Sequence, residues 1–430
     1  MESKMKDSGI PWIGVIPEHW NILRNKNVLI ELKEVVGEDT SFPLLSLSLT
    51  GVKLRDLGAG GKFPAEFNTY KKVNPENLVF CLFDMDETPR TIGLSKFRGM
   101  ITGAYNVYRV CPEVVTPDWV YYFYLSIDQQ KALKPYYSGL RKVVKPETFA
   151  KIHIPVPPIA EQERIAAYLD GKCGEIDELI DAEQQMISDL ESYRQAVITE
   201  AVTHGLNPDV PVKETTSFWL PKIPAHWELH YLRGISKGFR KGNGITKEDL
   251  IPDGNIACVR YGDLYTKYNH HISDIHCRTN VSKIQNPVYA AYGDIYFTCS
   301  GEDVDAIGKS AAYLSDEDCL IGGDLIIMKH SQNPKFLGYS LDSIISQKQK
   351  SYGKSKLKVV HTSVKDLKNV AVAIPPLSEQ KKIAEYLDAK CSEIDELIKV
   401  KQEKIETLKQ YRQSLIFEAV TGKTPIIENL

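Results

Sequence analysis

Four stretches of the chain carry residue types that could bind phosphate, a metal or a reactive base. Gly308-Lys309-Ser310 has the lysine and hydroxyl of a phosphate-gripping loop. Such a loop also needs a glycine five positions before that Gly-Lys pair, and Asp303 stands there. Without it the backbone amides cannot wrap a phosphate, so the motif is not a nucleotide site. Gly58-Ala59-Gly60-Gly61 fails the dinucleotide fingerprint because Phe63 takes the third glycine position. His270, His271, His276 and Cys277 are metal-ligating types, but no second pair follows at finger spacing; the stretch reads as a surface loop. Asp84, Asp86 and Glu87 could hold Mg²⁺, but no lysine-bearing nuclease pattern follows, and they read as a turn. The Asn333-Pro334 and Pro-Pro pairs lack the aromatic of a motif for exocyclic amine methylation. No catalytic constellation emerges.

Two basic loops carry the remaining chemistry. Tyr136-Tyr137-Ser138-Gly139-Leu140-Arg141-Lys142-Val143-Val144-Lys145 precedes one short strand, and Ser351-Tyr352-Gly353-Lys354-Ser355-Lys356-Leu357-Lys358 precedes another. Small residues permit close approach to a phosphate backbone, and cations neutralise it. Lysine-rich loops are usually only solvated. Here the two loops hold equivalent places, each with a helix before and a strand and Pro-Pro after, which favours DNA contact. Arg141, Lys142, Lys356 and Lys358 are expected to face DNA, with Lys145 and Lys354 beside them. Further cationic candidates are Arg55, Lys62, Lys71, Arg90 and Arg98, then Arg240, Lys241, Arg260, Lys267 and Lys283.

The elements that must position these loops are duplicated. Pro157 through Thr203 reappears as Pro375 through Thr421 at a constant offset of 218 residues, with about 28 identities in 47 positions. A single match of that length is far above chance. Trp12 through Trp20 answers Trp219 through Trp227 at an offset of 207, so each half opens with an Ile-Pro-x-His-Trp motif. The stretches between are barely similar. Constant ends and divergent middles suggest one shared task and two different ones.

Each repeated segment reads as a helix of about 40 residues, roughly 60 Å long. Ile176, Ile180, Ile187, Leu190 and Val197 recur at three- and four-residue spacing, as do Ile394, Ile398, Ile405, Leu408 and Leu415. That is a coiled-coil stripe. Glu183 and Lys401 interrupt it at equivalent places, as do Arg194 and Arg412. The nearest partner for each stripe is the other copy, and pseudo-twofold symmetry favours antiparallel helices; an ordinary helical hairpin is the plainer reading. The divergent middles read as α/β. Alternation and β-branched runs predict strands at 45–49, 78–83, 105–110, 256–261, 294–297 and 325–328, and helices at 119–133 and 336–348.

Composition fits this plan. At 430 residues, with 43% hydrophobic and 25% charged, the chain can hold several cored domains. Net charge is −3, but residues 21–156 carry 18 basic against 14 acidic side chains, and 221–374 carry 20 against 16. The first repeated segment, 157–203, carries 3 against 11. A polyanion is drawn to the divergent regions and away from that helix. Eight scattered cysteines without C-x-x-C spacing, and no signal-peptide core, lead us to expect a cytoplasmic protein.

This duplicated plan resembles the specificity subunit of type I restriction–modification enzymes. The resemblance rests on the Ile-Pro-x-His-Trp motifs at 16–20 and 223–227 and on both copies of P-P-[IL]-x-E-Q-x-x-I-A-x-Y-L-D. The E-I-D-E-L-I and Y-R-Q-x-x-I-x-E-A-V-T tracts complete it, and it covers the entire chain. It implies two pseudo-twofold-related α/β target recognition domains, separated by two long antiparallel coiled-coil helices. The expected boundaries are 1–156 and 206–374 for the recognition domains, the second including a linker, and 157–205 and 375–430 for the helices. By resemblance each domain reads one half of a split double-stranded DNA site, while the coil sets their separation and docks two methyltransferase subunits. Restriction subunits, ATP-driven translocases and nucleases, would join that core. S-adenosylmethionine, ATP and Mg²⁺ would sit on the partners, with no cofactor and no catalysis here. Two other readings stay open: a duplicated adaptor that binds only proteins, and a solo nuclease or methyltransferase, which the missing motifs disfavour.

Overall fold

The computed structural model describes residues 4–39, 41–55, 67–301, 304, 306–355 and 360–426. The chain divides into two units by packing, residues 1–184 with 402–430 and residues 185–401. The sequence boundaries treat each long helix as its own segment. By packing, each helix gives one part to each unit.

The first unit is built on a four-stranded antiparallel sheet in the order Leu29–Leu32, Asn106–Val110, Leu78–Phe80, Ile92–Leu94. Helix Pro117–Gln130 covers it. Thr116 caps its start with Pro117 in the first turn, and Lys131 ends it in the left-handed region at φ 49. Oxygen caps and an early proline are helix-start signals. Its apolar side places Trp119, Phe123 and Tyr124 in the core. Phe80 lies 5.0 Å from Tyr124 and 5.1 Å from Phe149, both edge-on. Strand His153–Val156 pairs with Asn21–Arg24, tying the end of the divergent region to its start.

The second unit is built on two larger sheets. One has five strands in the order Gly238–Lys241, Leu325–Lys329, Ile295–Thr298, Ser310–Tyr313, His271–Ile272. The other runs Arg278–Thr279, Ile256–Val259, Cys319–Ile321, Tyr289–Ala290. Helix Pro334–Asp342 packs on strand Ser310–Tyr313. Gly338 permits that approach: a Cβ there would come within 2.8 Å of the His270 carbonyl. The helix expected over 336–348 is two helices, Pro334–Asp342 and Ile344–Ser351. Ser343 divides them with an extended ψ of 156, accepting from the Ser346 amide and donating to the Ser340 carbonyl. Serine competes for backbone hydrogen bonds in this way.

The long helices run Ile159–His204 and Leu377–Val420, 46 and 44 residues. Of the ten stripe residues, Ile176, Ile180, Ile394, Ile398, Ile405 and Leu415 are buried, and Ile187, Leu190, Val197 and Leu408 are half-buried. In the first unit Arg412 reaches Asp177 at 3.0 Å and Lys404 reaches the buried Glu183 at 2.7 Å. In the second, Arg194 bonds Asp395, and Gly205 lies beside Glu379. In each unit, as one residue number rises its partner's falls, so the helices pair antiparallel. The buried set also extends past the predicted stripe, to Ile165, Leu169 and Cys173 and to Ile383, Leu387 and Cys391.

Candidate nucleic-acid interface

The repeated motifs form a clamp that seats each divergent region on its helix. In the first unit the His19 ring meets Glu161 at 2.8 Å, and the Trp20 indole donates to the same carboxylate at 3.1 Å. Next to it, the fully buried Gln162 accepts from the Thr116 amide at 2.8 Å and donates to the carbonyls of Val114 and Pro157. The second unit repeats this except for the indole bond, since the Trp227 indole nitrogen is buried without a partner. His226 meets Glu379 at 2.7 Å, and Gln380 accepts from the Asn333 amide at 2.9 Å and donates to Gln332 and Pro375. Tyr122 donates to Asp170, and Tyr339 to Asp388, at 2.6 and 2.9 Å. The sequence reading uses the motif residues among these as marks of the repeat and assigns none of them a contact. Their retention together in both halves was the signal that they touch.

On this clamp the first unit carries the basic loop as a tight hairpin. The amides of Ser138 and Val143 donate to each other's carbonyls at 2.9 and 3.0 Å, and Gly139 and Lys142 supply the positive φ values the turn needs, 70 and 46. Arg141 does not stand free. It donates to Asp84 at 2.6 Å and lies 4.9 Å over the Phe83 ring. Lys142 pairs with Asp86 at 3.0 Å, and that hydrogen bond is the main reason the Asp86 carboxyl is held below its usual range. The Asp84–Glu87 stretch is thus a turn, as expected, and it anchors the basic hairpin. Lys145 is exposed at the start of helix Pro146–Phe149.

The other first-unit candidates are dispersed. Lys71 turns inward and donates to the Tyr105 carbonyl at 2.6 Å, its pKa lowered by burial. Arg90 is half-buried near Tyr121. Arg98 is exposed, 5.3 Å over the Phe42 ring. Arg55 is exposed at the rim of a small pocket with Tyr70 and Tyr105. Lys62 lies outside the described residues.

In the second unit Arg260 and Lys267 converge on the buried Asp263. The Arg260 guanidinium forks onto it at 3.0 and 3.1 Å, and the same carboxylate accepts from the Arg260 amide at 3.1 Å at the start of helix Tyr261–Thr266. Lys267 reaches it at 3.1 Å and the Cys277 sulfur at 3.0 Å. Burial pushes the Asp263 pKa up, but its bonds to Arg260 and Lys267 outweigh that and leave it lowered. Such a fork fixes the cation's direction. Arg240 donates to the Tyr289 carbonyl at 2.8 Å, and Lys241 is exposed. Lys354 donates to the His361 carbonyl at 2.6 Å and to Asp366 at 3.2 Å. Lys356, Lys358 and the Lys283 side chain lie outside the described residues.

His270 and His271 correct the expectation of a surface loop, whereas His276 is exposed outside any helix or strand. His270 is buried and 2.8 Å from Asp342, and His271 sits in a strand against the Lys335 carbonyl at 3.2 Å. Burial is the chief cause that lowers the His271 pKa to about 4. The helix Pro334–Asp342 covers both rings, a tertiary effect invisible in a polar local sequence. No metal-holding group of three His, Cys, Asp or Glu occurs among the described residues.

The long helices also show an outer face. Leu179, Met186 and Tyr193 are exposed by 48, 46 and 54%, and Leu397 and Tyr411 by 47 and 55%. Leu179, Met186 and Tyr193 are seven residues apart and Leu397 and Tyr411 fourteen, so each set lies on one side of its helix, flanking the paired stripe. Among the described residues no helix is long and apolar enough to cross a membrane.

Comparison with known proteins gives a consistent result. The family described as type I restriction modification DNA specificity domain matches residues 94–191 and 224–407. The MjaVIII specificity subunit of a type I restriction enzyme from Methanocaldococcus jannaschii is 24% identical over 431 residues, covering 95% of this chain and 93% of that one. The EcoKI specificity subunit of Escherichia coli is 24% identical over 296 residues, covering 65% of this chain and 59% of that one. The MjaX specificity subunit is 26% identical over 294 residues, so the chain spans about 59% of its length. A solved chain from work on assembly and conformational transition of a type I R-M system shares the fold, with TM-score 0.69 at 18% identity over 95% of this chain and 99% of that one.

Proposed function

Because the chain belongs to the type I restriction modification DNA specificity family, we propose that each unit reads one half of a split double-stranded DNA site. The paired long helices fix the distance between the halves. The observation that carries this reading is the pairing itself: a stripe of buried and half-buried residues continues along both helices, each of which is shared by the two units. A rigid element that belongs to two reading heads can act as a ruler. The heads differ in sequence, so their half-sites differ, and the site is bipartite and asymmetric.

In this reading the Ser138–Val143 hairpin and the Ser351–His361 loop meet phosphate, and the forked Arg260 is the best-aimed group for a base edge. The outer apolar sets at Leu179, Met186 and Tyr193 and at Leu397 and Tyr411 receive two methyltransferase subunits. Catalysis, S-adenosylmethionine, ATP and Mg²⁺ belong to the methyltransferase and restriction subunits.

Mapping methylated positions in DNA modified by the chain and its methyltransferase tests the reading. Two different half-sites separated by a fixed unspecified spacer are expected. A continuous or palindromic site overturns it. Met186→Glu with Tyr193→Glu should abolish co-purification of the methyltransferase, and unchanged co-purification removes the helix face from that contact.

A further inference from the structure

Leu140 is 103% exposed, at the tip of the hairpin between Gly139 and Arg141. A single exposed leucine usually means nothing. This one is held out rather than left out. Cross-hairpin bonds at Ser138 and Val143 close the loop, the Asp84 amide donates to the Arg141 carbonyl at 2.7 Å, and Asp84 and Asp86 hold the two cations that follow it. Ordering an apolar tip this firmly brings no burial within the chain. Its burial awaits a partner, which the proposed reading makes the DNA duplex.

The second unit repeats the device with different residues. Tyr352 is 74% exposed at the end of helix Ile344–Ser351, beside Gly353 at φ 71 and next to Lys354. The Trp219 ring supports it edge-on at 5.4 Å. The two loops do not align residue for residue: glycine precedes Leu140 but follows Tyr352. They share an exposed apolar side chain, a positive-φ glycine and flanking cations, in the same place before the last strand of each divergent region.

We propose that Leu140 is a wedge that enters the duplex at the first half-site, and that Tyr352 stacks on a base at the second. Apolar side chains inserted at a base step unstack it and bend the duplex, so its deformability contributes to specificity without a hydrogen bond to any base. A tyrosine ring stacks on any base because every base offers a π-face. The proposal rests on the loops contacting DNA, as the preceding reading holds.

The test uses the chain assembled with its methyltransferase and a duplex carrying the mapped site. 2-Aminopurine is placed at successive positions of the first half-site, leaving the methylated base natural. Leu140 insertion should raise fluorescence at one step. Leu140→Ala should abolish that rise and weaken binding by about tenfold, the loss of a buried leucine's apolar surface, without changing the salt slope, while Leu140→Met should retain the rise. The Arg141→Ala and Lys142→Ala double variant should flatten the salt slope, because fewer counterions are released. If Leu140→Ala leaves fluorescence and affinity intact while the cation variant flattens the slope, the wedge is wrong and the loop reading stands. If neither variant changes DNA binding, both fall. If Leu140→Ala instead releases the methyltransferase, the tip is a protein contact and the proposal is overturned. At the second half-site, Tyr352→Ala should weaken binding while Tyr352→Phe retains it; equal affinity in both variants would overturn the stacking role.

Discussion

Arg412 donates to Asp177 at 3.0 Å, and the same bridge recurs 218 residues along as Arg194 with Asp395, the chain positions exchanged. Arg194 and Arg412 read in sequence as flaws in the apolar stripe. They are its lateral ties, made once in each unit.

Asp177 is half exposed, so one bridge is worth little, about 0.5 kcal/mol. Asp177→Arg should cost about 1 kcal/mol by opposing like charges, and Arg412→Asp in the same chain should recover most of it. Urea unfolding of the two single variants and the double variant checks this. Additive losses would mean the pair does not interact.

Heptad insertion tests the ruler. Seven residues added to both long helices keep the paired face and add roughly 10 Å. The DNA spacer should lengthen by about three base pairs at ~3.4 Å each, with both half-sites unchanged. Affinity should fall, since about three base pairs also rotate the duplex by roughly 100°. Methylation at the original spacing with full efficiency would sink the ruler. Proline at Ile187 or Ile405 should cost about 3 kcal/mol or more of helix stability and release the methyltransferase.

Gln162 satisfies one amide and two carbonyls with no access to water. Gln162→Ala should therefore cost about 2–3 kcal/mol, because the groups left behind stay buried. Gln162→Glu should not rescue it, since a carboxylate cannot donate to the Val114 and Pro157 carbonyls. Equal midpoints for the parent chain and Gln162→Ala in denaturant would refute the clamp.

His271 sets a pH dependence. Its pKa is lowered from 6.5 to about 4 in the folded chain, first by burial. Between those values the unfolded chain binds more protons, so stability is present above about pH 6.5 and is lost as pH falls toward 4. His271→Asn should flatten that loss, measured as the change in melting temperature between pH 7 and pH 4.5. A variant that loses as much as the parent would assign the effect to other groups.

The long helices, most strands and the helix over Trp119 were legible because periodicity and capping residues are local signals. The paired partner was legible because the duplication left two matching stripes. What escaped is tertiary. Nothing near His270 says that a helix 60 or more residues later will bury it. Nothing in a run of cations says that Asp84 and Asp86 will hold Arg141 and Lys142. The candidate cations were therefore named by type; among the described ones, Arg141 with Lys142 and Arg260 with Lys267 prove to be grouped by a shared support.

Because residues 1–184 and 402–430 share a unit while 185–401 form the other, the order of synthesis matters. A ribosome adding ~5–20 residues per second needs roughly 10–45 s to make the intervening stretch. For that time the first unit lacks the strand of helix that covers Ile176, Ile180 and Glu183. The nascent chain thus exposes an apolar seam that its own later residues must close.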